Sequence, residues 1–121
     1  MTDIKTSVQN CLKTDGCLGA TLVDYESGLC LAMAGNPGFD LELAAAGNAE
    51  VVRAKKKIRD KLGISDQIEE ILISLDTQYH LIRMVGKNMF FYVAYRRDQA
   101  NLALARKELS SIEKNLEIDR G

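Results

Sequence analysis

His80 is the only histidine of the 121-residue chain, so a serine or cysteine nucleophile would have to take this single imidazole as its base. It sits in the middle of a strand-like run, where a half-buried, locally hydrogen-bonded ring is the ordinary arrangement. Cys11, Cys17 and Cys30 form neither a C-x-x-C pair nor a Cys/His grouping at metal-ligand spacing, and read as core-packing thiols. Glu69 and Glu70 are neighbours on a strand and point to opposite faces; with Asp24 and Glu26 they read as solvated edges, not as a paired-carboxylate site. The phosphate loop G-x-x-x-x-G-K-[ST] is missing, and Gly16-Cys17-Leu18-Gly19 lacks the spacing and following helix of a dinucleotide fingerprint. No catalytic residue, metal ligand or cofactor-binding residue is therefore expected, and the chemistry must lie in surfaces.

Two stretches stand out as surfaces. Leu43-Ala44-Ala45-Ala46-Gly47-Asn48-Ala49 is a run of small side chains on what reads as a helix. Small residues let a second helix approach closely, and filler against a sheet needs only one face, whereas alanines here occupy several. Arg53, Lys55, Lys56, Lys57, Arg59 and Lys61 follow, opposed nearby only by Asp60. Such a run is either solvated charge or a contact for an acidic protein, an anionic membrane surface or nucleic acid. Nucleic acid is the weakest of these, because no aromatic platform is interleaved and the chain's formal net charge is −1.

The elements that must position these stretches can be read from pattern. A chain of this length fits one domain, residues 1–121, able to bury roughly two-thirds of its unfolded surface. An odd number of cysteines, with no basic-then-apolar N-terminus, predicts reduced thiols and a cytoplasmic location. No apolar run approaches the ~20 residues of a membrane span. Residues 67–75, 79–85 and 89–95 are β-branched and aromatic runs closed by Asp76-Thr77-Gln78 and Gly86-Lys87-Asn88, hence an antiparallel meander. Ile71-Leu72-Ile73 and Met89 through Tyr95 are almost continuously apolar, so the sheet should be covered on both faces. Upstream, a helix over 3–14 capped by Thr2 or Asp3 is followed by a hairpin of Leu18–Tyr25 and Leu29–Ala34. Asp40 should cap a helix over 41–62 closed by Gly63, and Asp98 a last helix with the stripe Leu102, Ala105, Leu109, Ile112, Leu116. Lys5, Gln9 and Lys13 leave the first helix a thin apolar stripe, which predicts loose docking. The expected architecture is an α/β/α sandwich with one five-stranded antiparallel sheet in the order α-β-β-α-β-β-β-α. The first and last helices share one face and the middle helix takes the other.

The pattern resembles the Roadblock/dynein light chain family. The likeness is carried by Gly19-Ala20-Thr21-Leu22-Val23-Asp24 with Gly28-Leu29, by Glu70-Ile71-Leu72-Ile73 followed by Tyr79-His80-Leu81-Ile82-Arg83, and by Ala100-Asn101-Leu102-Ala103-Leu104-Ala105-Arg106. The resemblance implies a profilin-like fold that homodimerises through the middle helix and an edge strand. It also implies a partner: single-domain members of bacteria and archaea bind and regulate small Ras-like GTPases, while eukaryotic members serve as light chains or scaffold subunits. The second copy would then meet Ala44, Ala45, Asn48 and Val52 on the helix and Ile71, Ile73 and Leu75 on the strand. The hairpin loop and the face of the middle helix, with Arg53, Lys56 and Lys57, would meet the GTPase. Arg83, Arg96 and Arg97 are the arginines to consider for phosphoryl-transfer charge in trans, though regulators also act by reordering switch loops. The alternative is a scaffold subunit with no effect on hydrolysis.

Overall fold

The computed structural model describes residues 2–116. Its elements are α1 (Ile4–Cys11), β1 (Cys17–Asp24), β2 (Cys30–Gly35), α2 (Leu41–Lys61), β3 (Glu70–Ser74), β4 (Gln78–Val85), β5 (Met89–Arg96) and α3 (Leu102–Asn115), in the expected order. The strands form one five-stranded sheet, β2-β1-β5-β4-β3, with every neighbouring pair antiparallel. The meander β3-β4-β5 and the hairpin β1-β2 meet along β1 and β5, which makes β5 the centre. Phe90 through Tyr95 are all buried there, which explains why that run does not alternate.

The two faces hold two cores. On one, Leu22, Leu81, Phe91, Val93 and Tyr95 pack under Val8 and Cys11 of α1 and Ala105 and Leu109 of α3. On the other, Val23, Ile82, Phe90 and Tyr92 pack under Leu41, Ala45, Ala49 and Val52 of α2 alone. Each large side chain buried in this way contributes about 1.5–3 kcal/mol. Ion pairs also fasten α3 to the sheet. Arg106 Nη2 lies 2.8 Å from Glu70 Oε2 on β3, and Arg83 Nε of β4 lies 2.8 Å from Glu113 Oε1.

Four local expectations need correction. α1 ends at Cys11, not at residue 14, because Leu12, Lys13 and Thr14 donate to Gln9, Asn10 and Cys11 carbonyls three residues back and tighten the chain into a turn. Its docking is not loose. Val8, Cys11 and Ser7 are buried, and the Ser7 hydroxyl lies 3.0 Å from Thr2 Oγ1, so the polar position is satisfied. Asp98 does not cap α3; its carboxylate holds Arg96 at 2.9 Å, and Asn101 Oδ1 instead accepts from Leu104 N at 3.0 Å. β3 covers only Glu70–Ser74, with the segment 64–69 outside any regular element. Asp3 and Asp40 do cap α1 and α2.

Gly35 closes β2 at φ +89°, and a Cβ there would stand 2.6 Å from Leu18 O and 2.9 Å from Gly19 Cα. Gly38 has nearly the same φ, +88°, but open space around it. Gly38→Ala should therefore cost only the left-handed penalty, about 1–2 kcal/mol, and Gly35→Ala distinctly more. Urea denaturation of the two variants checks the order.

Candidate functional site

α2 is a helix with two apolar stripes. The inner one, Leu41-Ala45-Ala49-Val52, repeats at 4, 4 and 3 residues and faces the sheet, with Ala45, Ala49 and Val52 at 0% exposure. The outer one runs through Leu43, Gly47, Val51, Ala54, Ile58 and Leu62, spaced 4, 4, 3, 4 and 4, and lies in solvent. Leu43 is 71% and Leu62 64% exposed. A surface helix of a monomer needs the first stripe and has no use for the second.

The residues expected to meet a second copy separate accordingly. The side chains of Ala45 and Val52 are spent inside the protomer, against the sheet. Ala44 and Asn48 are half-buried on the flank of α2, and Asn48 turns its amide back onto Ala44 O at 2.7 Å. Ile71, Ile73 and Leu75 lie on or just after β3, which is the last strand of the sheet. Ile71 and Ile73 are half-buried and Leu75 is exposed. Val51 and Ile58, which are not among the residues expected from sequence, carry the middle of the outer stripe; the 4-and-3 spacing from Leu43 onward is the signal for them.

The basic run divides in the same way. Arg53 donates to the carbonyls of Tyr25 and Glu26 in the β1–β2 turn. Lys56 Nζ lies 2.9 Å from Tyr25 Oη and 4.1 Å from the ring centroid. Arg59 pairs with Asp60 Oδ1 at 3.0 Å and donates to Asp66 O at 3.1 Å. These three tie α2 to the hairpin and to the segment before β3. Lys55, Lys57 and Lys61 remain exposed. Of the three residues expected to meet a partner, Arg53 and Lys57 are exposed and Lys56 is half-buried, and Arg53 and Lys56 also brace the hairpin.

The side chains read as poor catalysts are held in matching surroundings. Burial pushes the Cys11 thiol up to about 12 and Cys17 to about 11, so both stay protonated near neutrality. His80 Nε2 is 2.7 Å from Gln78 Oε1 and its Nδ1 is 3.0 Å from Tyr92 Oη, with Phe39 beside the ring at 5.8 Å. That arrangement satisfies a neutral imidazole, Nε2–H donating to Gln78 and Nδ1 accepting from Tyr92. Arg83 is engaged by Glu113, Arg96 by Asp98, and Arg97 by Leu75 O with its guanidinium 4.8 Å from the Tyr79 ring centroid. Among the described residues there is no group of three or more His, Cys, Asp or Glu side chains placed to hold a metal ion, and no helix is long and apolar enough to cross a membrane.

This architecture, with two helices on one sheet face, one on the other and a bare strand at the rim, is the fold of Roadblock/LC7 domains. A Roadblock/LC7 domain from Streptomyces avermitilis superposes with a TM-score of 0.82 at 15% identity, covering 93% of this chain and 93% of that one. The chain is also similar in structure to MglB of Myxococcus xanthus, with a TM-score of 0.76 at 16% identity over 92% of this chain and 79% of that chain. The gliding protein MglB of Thermus thermophilus gives 0.75 at 16%, over 90% and 82%. No protein-family model and no curated protein sequence matches the chain.

Burial lowers His80 below its ordinary 6.5. As the pH falls through 6.5 the unfolded chain takes up a proton that the folded one resists, so stability is complete above that value and declines beneath it. His80→Gln should flatten this part of the decline, leaving the carboxylate-driven loss at lower pH. Melting temperatures of both proteins across the acid range test it.

Proposed function

We propose that the chain is a homodimeric, non-enzymatic cytoplasmic module that binds and regulates a small Ras-like GTPase. The observation that carries the dimer is the presence of two uncovered features, the outer stripe of α2 and the edge of β3. Pairing β3 with its own copy about a two-fold axis would satisfy both sets of edge groups and close the assembly. The charge of α2 supports an antiparallel meeting of the two helices. Of its exposed carboxylates, Glu42 and Glu50 lie in the first half; Asp60 in the second is paired with Arg59, beside the exposed Lys55, Lys57 and Lys61. Turned end for end, the acidic half of each helix lies beside the basic half of the other. In this arrangement Val51, near the middle of the helix, sits near the axis.

The GTPase reading draws support from the structural likeness to MglB and from the family resemblance of the sequence. A regulator of this kind needs a rigid surface that favours one arrangement of the GTPase's switch segments and no catalytic group of its own. The lysines left in solvent, Lys57 first among them, would steer an acidic patch of such a partner.

Ile73→Lys places a charge on the paired edge and should convert a dimer into a folded monomer. Light scattering coupled to size exclusion reads the mass, and circular dichroism confirms the fold; an unchanged dimer would move the interface elsewhere. For the partner, the purified protein is used to capture proteins from its own cell lysate loaded with a GTP analogue or with GDP. A small GTPase retained in one nucleotide state, and retained several-fold less by Lys57→Glu, is the expected result. Capture of large assembly subunits regardless of nucleotide would favour the scaffold reading.

A further inference from the structure

The sheet has a second bare rim. β2 is its other terminal strand, and its sequence, Cys-Leu-Ala-Met-Ala-Gly, holds no lysine, proline or acidic residue of the kind that usually blunts an edge. Ala32 and Ala34 face the core under α1. On the other face α2 reaches Cys30 but leaves Leu31 and Met33 exposed, and Leu29, just before the strand, is 61% exposed. The rim therefore offers unpaired backbone groups beside three uncovered apolar side chains.

Carboxylates outnumber cations around this rim, although Arg53 and Lys56 reach the hairpin turn. From residue 14 to residue 52 the chain has no lysine, arginine or histidine, and it has six carboxylates, Asp15, Asp24, Glu26, Asp40, Glu42 and Glu50. Glu26 stands in the turn that leads into β2, and Glu42 lies in the first turn of α2, the helix whose core cluster Cys30 packs against. Arg53 and Lys56 reach the same turn and keep their charge there, against Asp24, Glu26, Asp40 and Glu42 on the surrounding elements. Two copies meeting along β2 would bring like charges together, whereas a basic segment would meet opposite ones.

We propose that the β2 rim is a docking site for an extended basic segment of a partner protein, which adds to the sheet as a further strand. Backbone hydrogen bonds to β2 supply affinity, alternate apolar side chains lie on Leu31 and Met33, and lysines or arginines at the segment's ends meet Glu26 and Glu42. The site lies at the opposite edge from β3 and stands whether or not the GTPase reading does.

The probe is a fluorescent peptide of alternating valine and serine flanked by lysine and arginine, compared with the same peptide flanked by glutamate. Fluorescence anisotropy with the full chain should give saturable binding of the basic peptide only, weakened about tenfold or more by Glu26→Lys combined with Glu42→Lys. These are exposed positions, so the doubly substituted protein should stay folded. Backbone amide shifts on titration should centre on residues 29–35. No saturable binding, equal binding of the glutamate-flanked peptide, or indifference to the two substitutions would overturn the proposal. So would an assembly larger than a dimer that Leu31→Lys dissolves, since the rim would then belong to a second copy.

Discussion

Width is the constraint on which the rest of this structure depends. Five strands at about 4.8 Å spacing make a sheet roughly 19 Å across, and a helix with its side chains is only about 10–12 Å in diameter. Two helices suffice for one face, and α1 and α3 provide them. The opposite face has α2 alone. A single helix over a sheet that is apolar on both sides must leave part of it uncovered, and both rims show it: Leu31 and Met33 on β2 are exposed, and beyond α2 on the β3 side Ile71 and Ile73 are half-buried and Leu75 exposed. The incomplete cover follows from the element count, before any partner is considered.

The same constraint explains the composition of α2. The sheet presents bulky side chains to it, Phe90 and Tyr92 from β5 and Ile82 from β4, so the helix must be small where it touches. Ala45 and Ala49 meet that need at 0% exposure, and a helix with small contact residues can sit close to the sheet. The hairpin is equally close on the flank: a Cβ on Gly28 would come 3.6 Å from Ala46 Cα. The run of alanines thus serves two demands at once. Its inward members fill against aromatic residues, and its exposed members, Ala46 and Gly47, flatten the surface beside Leu43 and Val51.

Much of this is legible in the sequence, and the limits have physical causes. Element order and the placement of helices on two faces can be read because β5 and its neighbours are apolar without alternation, and because the helix stripes keep their period. The cap of α3 is ambiguous in sequence because Asp98 and Asn101 are both good caps three residues apart; only the position of Arg96 decides which one is free to serve. The docking of α1 looks weak from Lys5, Gln9 and Lys13, yet Ser7 is buried beside Thr2 at 3.0 Å. The basic run is plain, but its division is not. Arg53 and Lys56 reach across to the hairpin residues Tyr25 and Glu26, a contact across about thirty residues of chain that no local pattern contains.

The two bare rims differ in a way that assembly symmetry makes necessary. A protomer that paired with itself along β3 and again along β2 would have two isologous interfaces, and alternating two-fold axes generate an open filament instead of a closed particle. A closed dimer of the proposed kind would therefore need one rim denied to self-pairing. Shortness does not distinguish them, since β3 has five residues and β2 six. Charge does. Glu70 on β3 is engaged by Arg106 of the same chain, so in the proposed dimer that rim would meet its copy with its strand carboxylate already paired. The carboxylates around β2 lie in a stretch with no basic residue of its own, and the two cations that reach the hairpin, Arg53 and Lys56, come from the second half of α2. If the β2 rim takes a basic segment as proposed, the excess of carboxylates there would also disfavour its pairing with a second copy, so one feature would both limit assembly and select the partner.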